Sequence, residues 1–209
     1  MIPTENEMNK AFEMRHGANL FNKLKNTTVA VCGLGGLGSN VSISLARMGI
    51  GKLILVDFDE VDVTNLHRQQ YKAGQVGMLK TDAIKSNLKE IAPYLDVETH
   101  NIKLDEENVK SIISSADIVC EAFDKAEAKA MLVNTVLEKH PDKYLVAASG
   151  MAGKGPANDI VTKKITKKFY LCGDGVSDVN KSDGLFASRV MLCAAHEAHA
   201  ILKIIDEYF

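Results

Sequence analysis

The chain has 209 residues, 46% hydrophobic and 25% charged, with 25 Lys+Arg against 27 Asp+Glu and a formal net charge of −2. At ~150 residues per domain that is one domain with an appended element, long enough to bury a core without disulfides or structural metal. The balanced charge excludes a uniformly basic nucleic-acid binder and a strongly acidic disordered chain as first readings, and 15 Gly with 4 Pro is too few for low complexity.

Residues 5–25 read as a short polar helical arm, with Phe12, Leu20, Phe21 and Leu24 on one side. Val29–Cys32 is a buried strand that runs straight into a glycine turn. Ser39–Met48 has helical apolar spacing and ends at Gly49-Ile50-Gly51. Lys52–Val56 is a second buried strand, and Val76–Leu95 is a long amphipathic helix stopped near Pro93. Val97–Leu104 alternates as a strand, and Asp105–Ser115 is a helix with Asp105 as its N-cap. A fourth strand at Ile118–Ala122, a helix at Ala126–Lys139 and a fifth strand at Tyr144–Ser149 follow. This alternation predicts an α/β fold: a doubly wound, mostly parallel, Rossmann-like sheet ordered 3-2-1-4-5 with helices on both faces.

After Gly150 the pattern changes. Residues 150–156 are a flexible link, 159–173 hold one or two antiparallel strands, 174–184 form a polar loop, and Ala187–Tyr208 is a closing helix. The expected organisation is an arm over 1–25 and a single nucleotide-binding domain over 26–209, with a core at 26–150 and a short antiparallel extension at 151–209. No apolar run nears the ~18 residues of a membrane span, and the opening MIPTENEMNK lacks the apolar stretch of a signal peptide. Cys32, Cys120, Cys172 and Cys193 form no CxxC pair, which argues against zinc. Without an export signal, free thiols in a reduced cytoplasmic compartment are expected.

Gly33-Leu34-Gly35-Gly36-Leu37-Gly38 fits G-x-G-x-x-G between a strand and a helix. The glycines permit a tight turn, close approach of a phosphate and close packing of helix on strand, and the helix N-terminus offers free N–H groups to an anion. Asp57 follows about 20 residues later at the end of the second strand, where a carboxylate accepts from ribose hydroxyls. Beyond it come Arg68 and, at a helix start, Lys80. Two cations there suit a triphosphate better than a nicotinamide ring, although each also reads as an ordinary surface charge.

The strings GLGGLGSN, LVDFDEVDVTNLHRQQY, VGMLKTDA and CEAFDKAEAK together resemble the ThiF/MoeB/HesA family, relatives of the ubiquitin-activating enzymes, and look most like the short single-domain ThiF type. The resemblance is strong over roughly 26–150 and extends through YLCGDG and the last helix. It implies an ATP-dependent adenylyltransferase that activates the C-terminal Gly-Gly carboxylate of a ubiquitin-like sulfur carrier of the ThiS type, in the making of the thiamine thiazole, with release of pyrophosphate. On this resemblance Gly33, Gly35, Gly36 and Gly38 shape the phosphate loop. Asp57 holds the ribose with Asp59 close by. Asn65, Arg68, Gln69 and Lys80 contact phosphates and nucleotide, and Asp124 holds Mg²⁺. The resemblance also implies a homodimer in which Arg15 reaches the partner's triphosphate, and a separate sulfur-donor protein.

Asp124 alone also reads as the N-cap of the following helix, and Arg15 as a solvated arginine on a polar helix. Cys172, beside the polar loop, reads either as an accessible nucleophile for a thiol step or, in the favoured reading, as a small apolar residue at a strand end. The chain lacks the two CxxC pairs that hold zinc in many family members. His196 and His199, spaced i,i+3, read as solvated or helix-packing rather than metal-binding. Lys163–Lys168 is a basic run that reads mainly as a solvated sheet edge, and otherwise as a surface for an acidic carrier or RNA. Alternative readings are a tRNA-modifying cyclising relative, a MoeB-like activator of a molybdopterin carrier, an NAD(P) oxidoreductase and a non-catalytic ATP-binding scaffold.

Overall fold

The computed structural model describes residues 2–179, 181 and 184–209. The expected strands form where the apolar runs are shortest and most β-branched: β1 (Thr28–Cys32), β2 (Lys52–Val56), β3 (Asp96–His100), β4 (Ile118–Glu121) and β5 (Tyr144–Ala148). They are joined by β6 (Val161–Lys164) and β7 (Phe169–Gly173). The sheet order is β3-β2-β1-β4-β5-β7-β6. The central five strands are parallel in the expected order, β7 adds to β5 in parallel, and only the β6–β7 pair is antiparallel. The antiparallel extension is therefore a hairpin edge on a continuing parallel sheet.

Alternation along the strands divides the core in two. Val29, Val31, Leu53, Leu55, Ile118, Cys120 and Val146 face one layer, packed under α2 (Ala18–Lys25), α3 (Gly36–Met48), α4 (Lys80–Ile91) and α7 (Ala187–Tyr208). Ala30, Cys32, Ile54, Val56, Val119 and Leu145 face the other, under α5 (Val109–Ile112) and α6 (Ala126–Lys139). Each fully buried Leu, Ile or Val contributes ~1.5–3 kcal/mol relative to exposure.

The strand expected over Val97–Leu104 runs instead over Asp96–His100, and three further elements differ for identifiable reasons. The polar arm is two helices, not one. Thr4 and Glu7 close a capping box on α1 (Glu5–His16), and Gly17 at φ +82° breaks the run before α2. The helix expected from Val76 begins at Lys80, because Ala73–Gln75 form a 3-10 turn and Gly77 takes φ +85°. The helix expected over Asp105–Ser115 shrinks to one turn. Asp105 accepts from the Glu107 and Asn108 amides in a turn, while Ser111 and Ser114 spend their hydroxyls on backbone carbonyls.

Candidate nucleotide-binding site

β1 delivers Gly33 to the carboxyl edge of the sheet, where its amide donates to Val56 O at 2.8 Å. Gly33 sits at φ +97°, and a Cβ there would stand 2.7 Å from Ala122 O. At Gly38 a Cβ would overlap the Gly33 carbonyl, so the loop closes on itself only with glycine at both ends. On Gly36 a Cβ would meet Val190 Cγ1 of α7 at 2.9 Å, whereas on Gly35 it would find only Gln69 Nε2, at 3.9 Å. The loop is thus packed on the protein side and leaves the α3 N-terminus open to an anion.

Asp57, at the end of β2, braces this loop. Its Oδ2 accepts from Leu34 N at 2.6 Å and its Oδ1 from Asp59 N at 2.8 Å. Burial pushes its carboxyl above the ordinary range, opposed by Lys80 and the two amides. Lys80, the first residue of α4 and almost fully buried, donates to Asp59 Oδ2 at 2.8 Å and lies 4.0 Å from Asp57 Oδ1. Asp59 is half-exposed and turns its carboxylate outward.

Arg68 lies in the segment between β2 and α4. Its Nη1 donates to Thr64 O at 3.1 Å. Burial works against its charge and the nearby Asp124 carboxylate supports it. Gln69 is buried with Oε1 lacking a hydrogen-bond partner, a polar atom turned in beneath the loop. Asn65 serves the chain itself: its Oδ1 accepts from Asp62 N, and its carbonyl accepts from the amides of Arg68 and Gln69.

Asp124 follows β4 and is exposed. The N-cap of α6 is Lys125, with no side-chain cap bond, so Asp124 does not cap the helix. Among the described residues no group of three or more His, Cys, Asp or Glu stands ready to hold a metal. One unengaged carboxylate beside a phosphate loop nevertheless suits Mg²⁺, which takes one or two protein carboxylates and fills its shell from phosphates and water. The open loop, the buried Asp57 and the cations Arg68 and Lys80 likewise fit a nucleoside triphosphate.

Two expected residues lie elsewhere. Arg15 is exposed on α1, which packs at the amino-terminal edge of the sheet, where Tyr94 Oη donates to Pro3 O and Gly51 N to Leu24 O. It joins no other site residue within one chain. Cys172 does not line an open loop. It is fully buried in β7, with its thiol pushed up to about 12 by burial and by Glu197, and Thr162 Oγ1 3.5 Å away. All four cysteines are buried free thiols.

Other residues build the site without an obvious motif. Tyr71 Oη donates to Leu34 O at 2.7 Å, so the Leu34 peptide is held by Asp57 on one side and Tyr71 on the other. The only sequence signal is the aromatic that follows the Arg-Gln-Gln. Asn40 Nδ2 donates to Gly36 O at 2.7 Å and to Arg68 O at 3.2 Å, tying the α3 start to the arginine segment. Arg189, buried in the first turn of α7, donates to Gly155 O, Pro156 O and Asp174 Oδ2, all at 2.7 Å. Burial acts to raise the Asp174 carboxyl, but the amides of Val176 and Ser177, the Ser177 hydroxyl and Arg189 outweigh it and bring it to about 2.

A doubly wound sheet with a glycine loop at its switch point, a buried aspartate beneath it and two cations beside it defines a nucleotide-binding α/β protein. The ThiF family pattern matches residues 9–208, and the chain belongs to the ThiF family. It is 38% identical over 135 residues to the adenylyltransferase and sulfurtransferase MOCS3 of Aedes aegypti, covering 64% of this chain and 30% of that one. To the molybdopterin-synthase adenylyltransferase of Haemophilus influenzae it is 41% identical over 111 residues, 53% of this chain and 46% of that one. The chain thus spans about a third to a half of the length of these relatives. In fold it is similar to E. coli tRNA N6-threonylcarbamoyladenosine dehydratase, TcdA, in complex with ATP, with TM-score 0.87, 20% identity and coverage of 99% and 97% of the two chains. It is also similar to E. coli MccB with ATP, with TM-score 0.73, 24% identity and coverage of 100% and 65%. Neither relative's name carries thiamine. Among the described residues no helix is long and apolar enough to cross a membrane.

Proposed function

We propose that this chain is a nucleotidyltransferase that adenylates the C-terminal Gly-Gly carboxylate of a small ubiquitin-like sulfur carrier. The observation that carries this is the loop braced by Asp57, with Lys80 paired to Asp59 beside it. The family membership and two relatives named as adenylyltransferases support it. A ThiS-type carrier is the partner that the resemblance of the motif strings to ThiF suggests, and a molybdopterin-type carrier is the one that the names of the relatives suggest.

A carrier carboxylate oxygen attacks the α-phosphorus of ATP in line. The new O–P bond forms as the bond to the bridging oxygen breaks, pyrophosphate leaves and the carrier keeps AMP as an acyl-adenylate. The carboxylate is already ionised at pH 7, so no general base is needed. The chain contributes orientation and charge. The α3 amides and the glycine loop seat the phosphates, Asp57 and Asp59 take the ribose, and Arg68 and Lys80 neutralise the charge that moves to pyrophosphate. Asp124 would hold Mg²⁺, which would supply further charge neutralisation at the phosphates. Arg15 contributes only from a second copy of the chain in a homodimer, and sulfur comes from a separate donor protein.

The test is exchange of labelled pyrophosphate into ATP with Mg²⁺, with and without a carrier that ends in Gly-Gly. Exchange that needs the carrier and its terminal glycine is the expected result. A second reading, activation of a modified tRNA base, draws on the exposed β6 edge and the lysines at 163, 164, 167 and 168. It gains if exchange or AMP release follows tRNA and no carrier supports it.

A further inference from the structure

The turn that carries Asp124 is held from behind. Glu121, the last residue of β4, is fully buried. Its Oε1 accepts from Phe123 N at 2.7 Å and from Lys129 Nζ at 3.0 Å, with Oε2 2.9 Å from the same ammonium. Lys129, on the second turn of α6, also donates to Phe123 O at 3.0 Å. Both the N–H and the C=O of Phe123 are therefore tied to one buried ion pair, a single peptide before Asp124. Among the described residues the Asp124 side chain makes no hydrogen bond or ion pair, and α6 has no side-chain cap. The backbone from which its side chain projects is the backbone that Lys129 and Glu121 hold. The preceding residue is in the same frame, since Ala122 O is the atom a Cβ on Gly33 would strike.

A second buried carboxyl lies close by. Glu197 of α7 accepts from Cys120 Sγ at 3.8 Å through Oε1 and has no partner at Oε2. Burial and the Glu121 charge raise its carboxyl well above the ordinary range, with Lys129 opposing. Lys129 makes its direct contacts with Glu121. A buried pair of this kind adds little net stability beside an apolar replacement. A fixed geometry for the adjoining turn is what it does provide.

We propose that Lys129, paired with Glu121, is a positioning residue that aims Asp124 at the nucleotide-bound metal ion. This rests on the reading above that Asp124 holds Mg²⁺. The test uses the full chain with Lys129→Met, Lys129→Arg and Glu121→Gln. ATP binding is measured by calorimetry across a Mg²⁺ titration and in EDTA. Amide hydrogen exchange is followed over residues 121–126 without nucleotide. Partners that orient a metal ligand typically alter metal affinity by ~10–100-fold. Lys129→Met should raise the Mg²⁺ needed for half-maximal ATP binding about tenfold, with less than twofold change in EDTA. Exchange at Phe123 and Asp124 should speed up while that of β1 and α3 stays as in the parent. Lys129→Arg should restore most of the metal response. Glu121→Gln keeps an acceptor for Phe123 N and should give an intermediate shift, which decides the matter if Lys129→Met does not fold. Equal loss of metal-dependent and metal-free binding, or no change in either, overturns the positioning role. A parent protein whose ATP binding ignores Mg²⁺ overturns the Asp124 reading itself, a result visible before any variant is made.

Discussion

Asp57→Asn tests the bracing of the glycine loop directly. The carboxylate accepts from two backbone amides, Leu34 at 2.6 Å and Asp59 at 2.8 Å, in a buried setting 4.0 Å from the Lys80 ammonium. Asparagine keeps the shape but places an NH₂ where one oxygen stood, so one amide faces a donor. An unsatisfied buried donor costs ~1–3 kcal/mol, and loss of charge from the remaining bond costs about 1 more. The expected deficit is about 2–4 kcal/mol, read as a fall in Tm of ~5–15 °C for a chain of this size. The sign of its pH dependence follows from burial. The folded carboxyl titrates above its ordinary value of 3.8, so the folded parent holds its proton longer than the unfolded chain. Parent stability from this group is full below that value and falls as pH rises through the raised folded pKa. The variant lacks that slope, and the gap should narrow towards neutral pH. Thermal and urea unfolding across pH 4–8, as explicit trial conditions of about one unit spacing, would measure both. A variant within about 0.5 kcal/mol of the parent at every pH refutes the bracing.

Asp124→Ala should leave Tm within about 0.5 kcal/mol equivalent of the parent, because the side chain is exposed, while abolishing Mg²⁺-dependent pyrophosphate exchange. Exchange that survives removes Asp124 from its assigned role. Asp174→Asn strands the buried Arg189 and should cost about 3 kcal/mol. The parent carries this stability above the ordinary value of 3.8 and loses it as pH falls towards about 2, so the variant's acid unfolding curve should be flatter there. An unchanged acid limb would count against the pair. Cys172→Ala should leave adenylation unaltered. In the native parent at pH 8, a disulfide reagent such as Ellman's should find almost no reactive thiol, and four once the chain is unfolded. A single fast native thiol assigned to Cys172 would contradict its burial.

Local chemistry made the central fold legible. Short apolar runs, glycine punctuation and helical spacing marked five strands and the helices between them, and the parallel order followed from crossover handedness. The glycine loop and Asp57 could be read from the strand–turn–helix pattern, because the loop and the carboxyl ends of the strands are one edge in any sheet of this kind; Arg68 and Lys80 alone read equally as surface charges, and the role expected of Asp124 came from the family resemblance. What could not be read depends on partners distant in sequence. Asp174 looked like a loop residue, and only the return of α7 brings Arg189 to it, 2.7 Å away. Cys172 read either as an accessible nucleophile or, in the favoured reading, as a small apolar residue at a strand end, and the entry of its strand into the sheet next to β5, under α7, agrees with the second. No motif marks Lys129 in the sequence, and its meaning comes from Glu121 on the preceding strand. The one-turn α5 failed for the opposite reason, since serines and an aspartate compete locally with helix bonds in a way that periodicity does not register.

The glycine loop rests on pieces of chain that lie far apart in sequence. Gly33 meets Ala122 beyond β4, Gly36 meets Val190 on α7, and Leu34 is pinned from Asp57 and Tyr71. No local segment can assemble it, so a ligand that seats there stabilises the entire native state over the unfolded one. Its binding energy is then felt as protection of the whole chain, about 2.7 kcal/mol at a hundredfold excess over Kd. Amide exchange in the sheet centre and in α7, remote from the ligand, should slow together with that of the loop, and a proteolytic fragment that ends before β4 should retain no affinity at all.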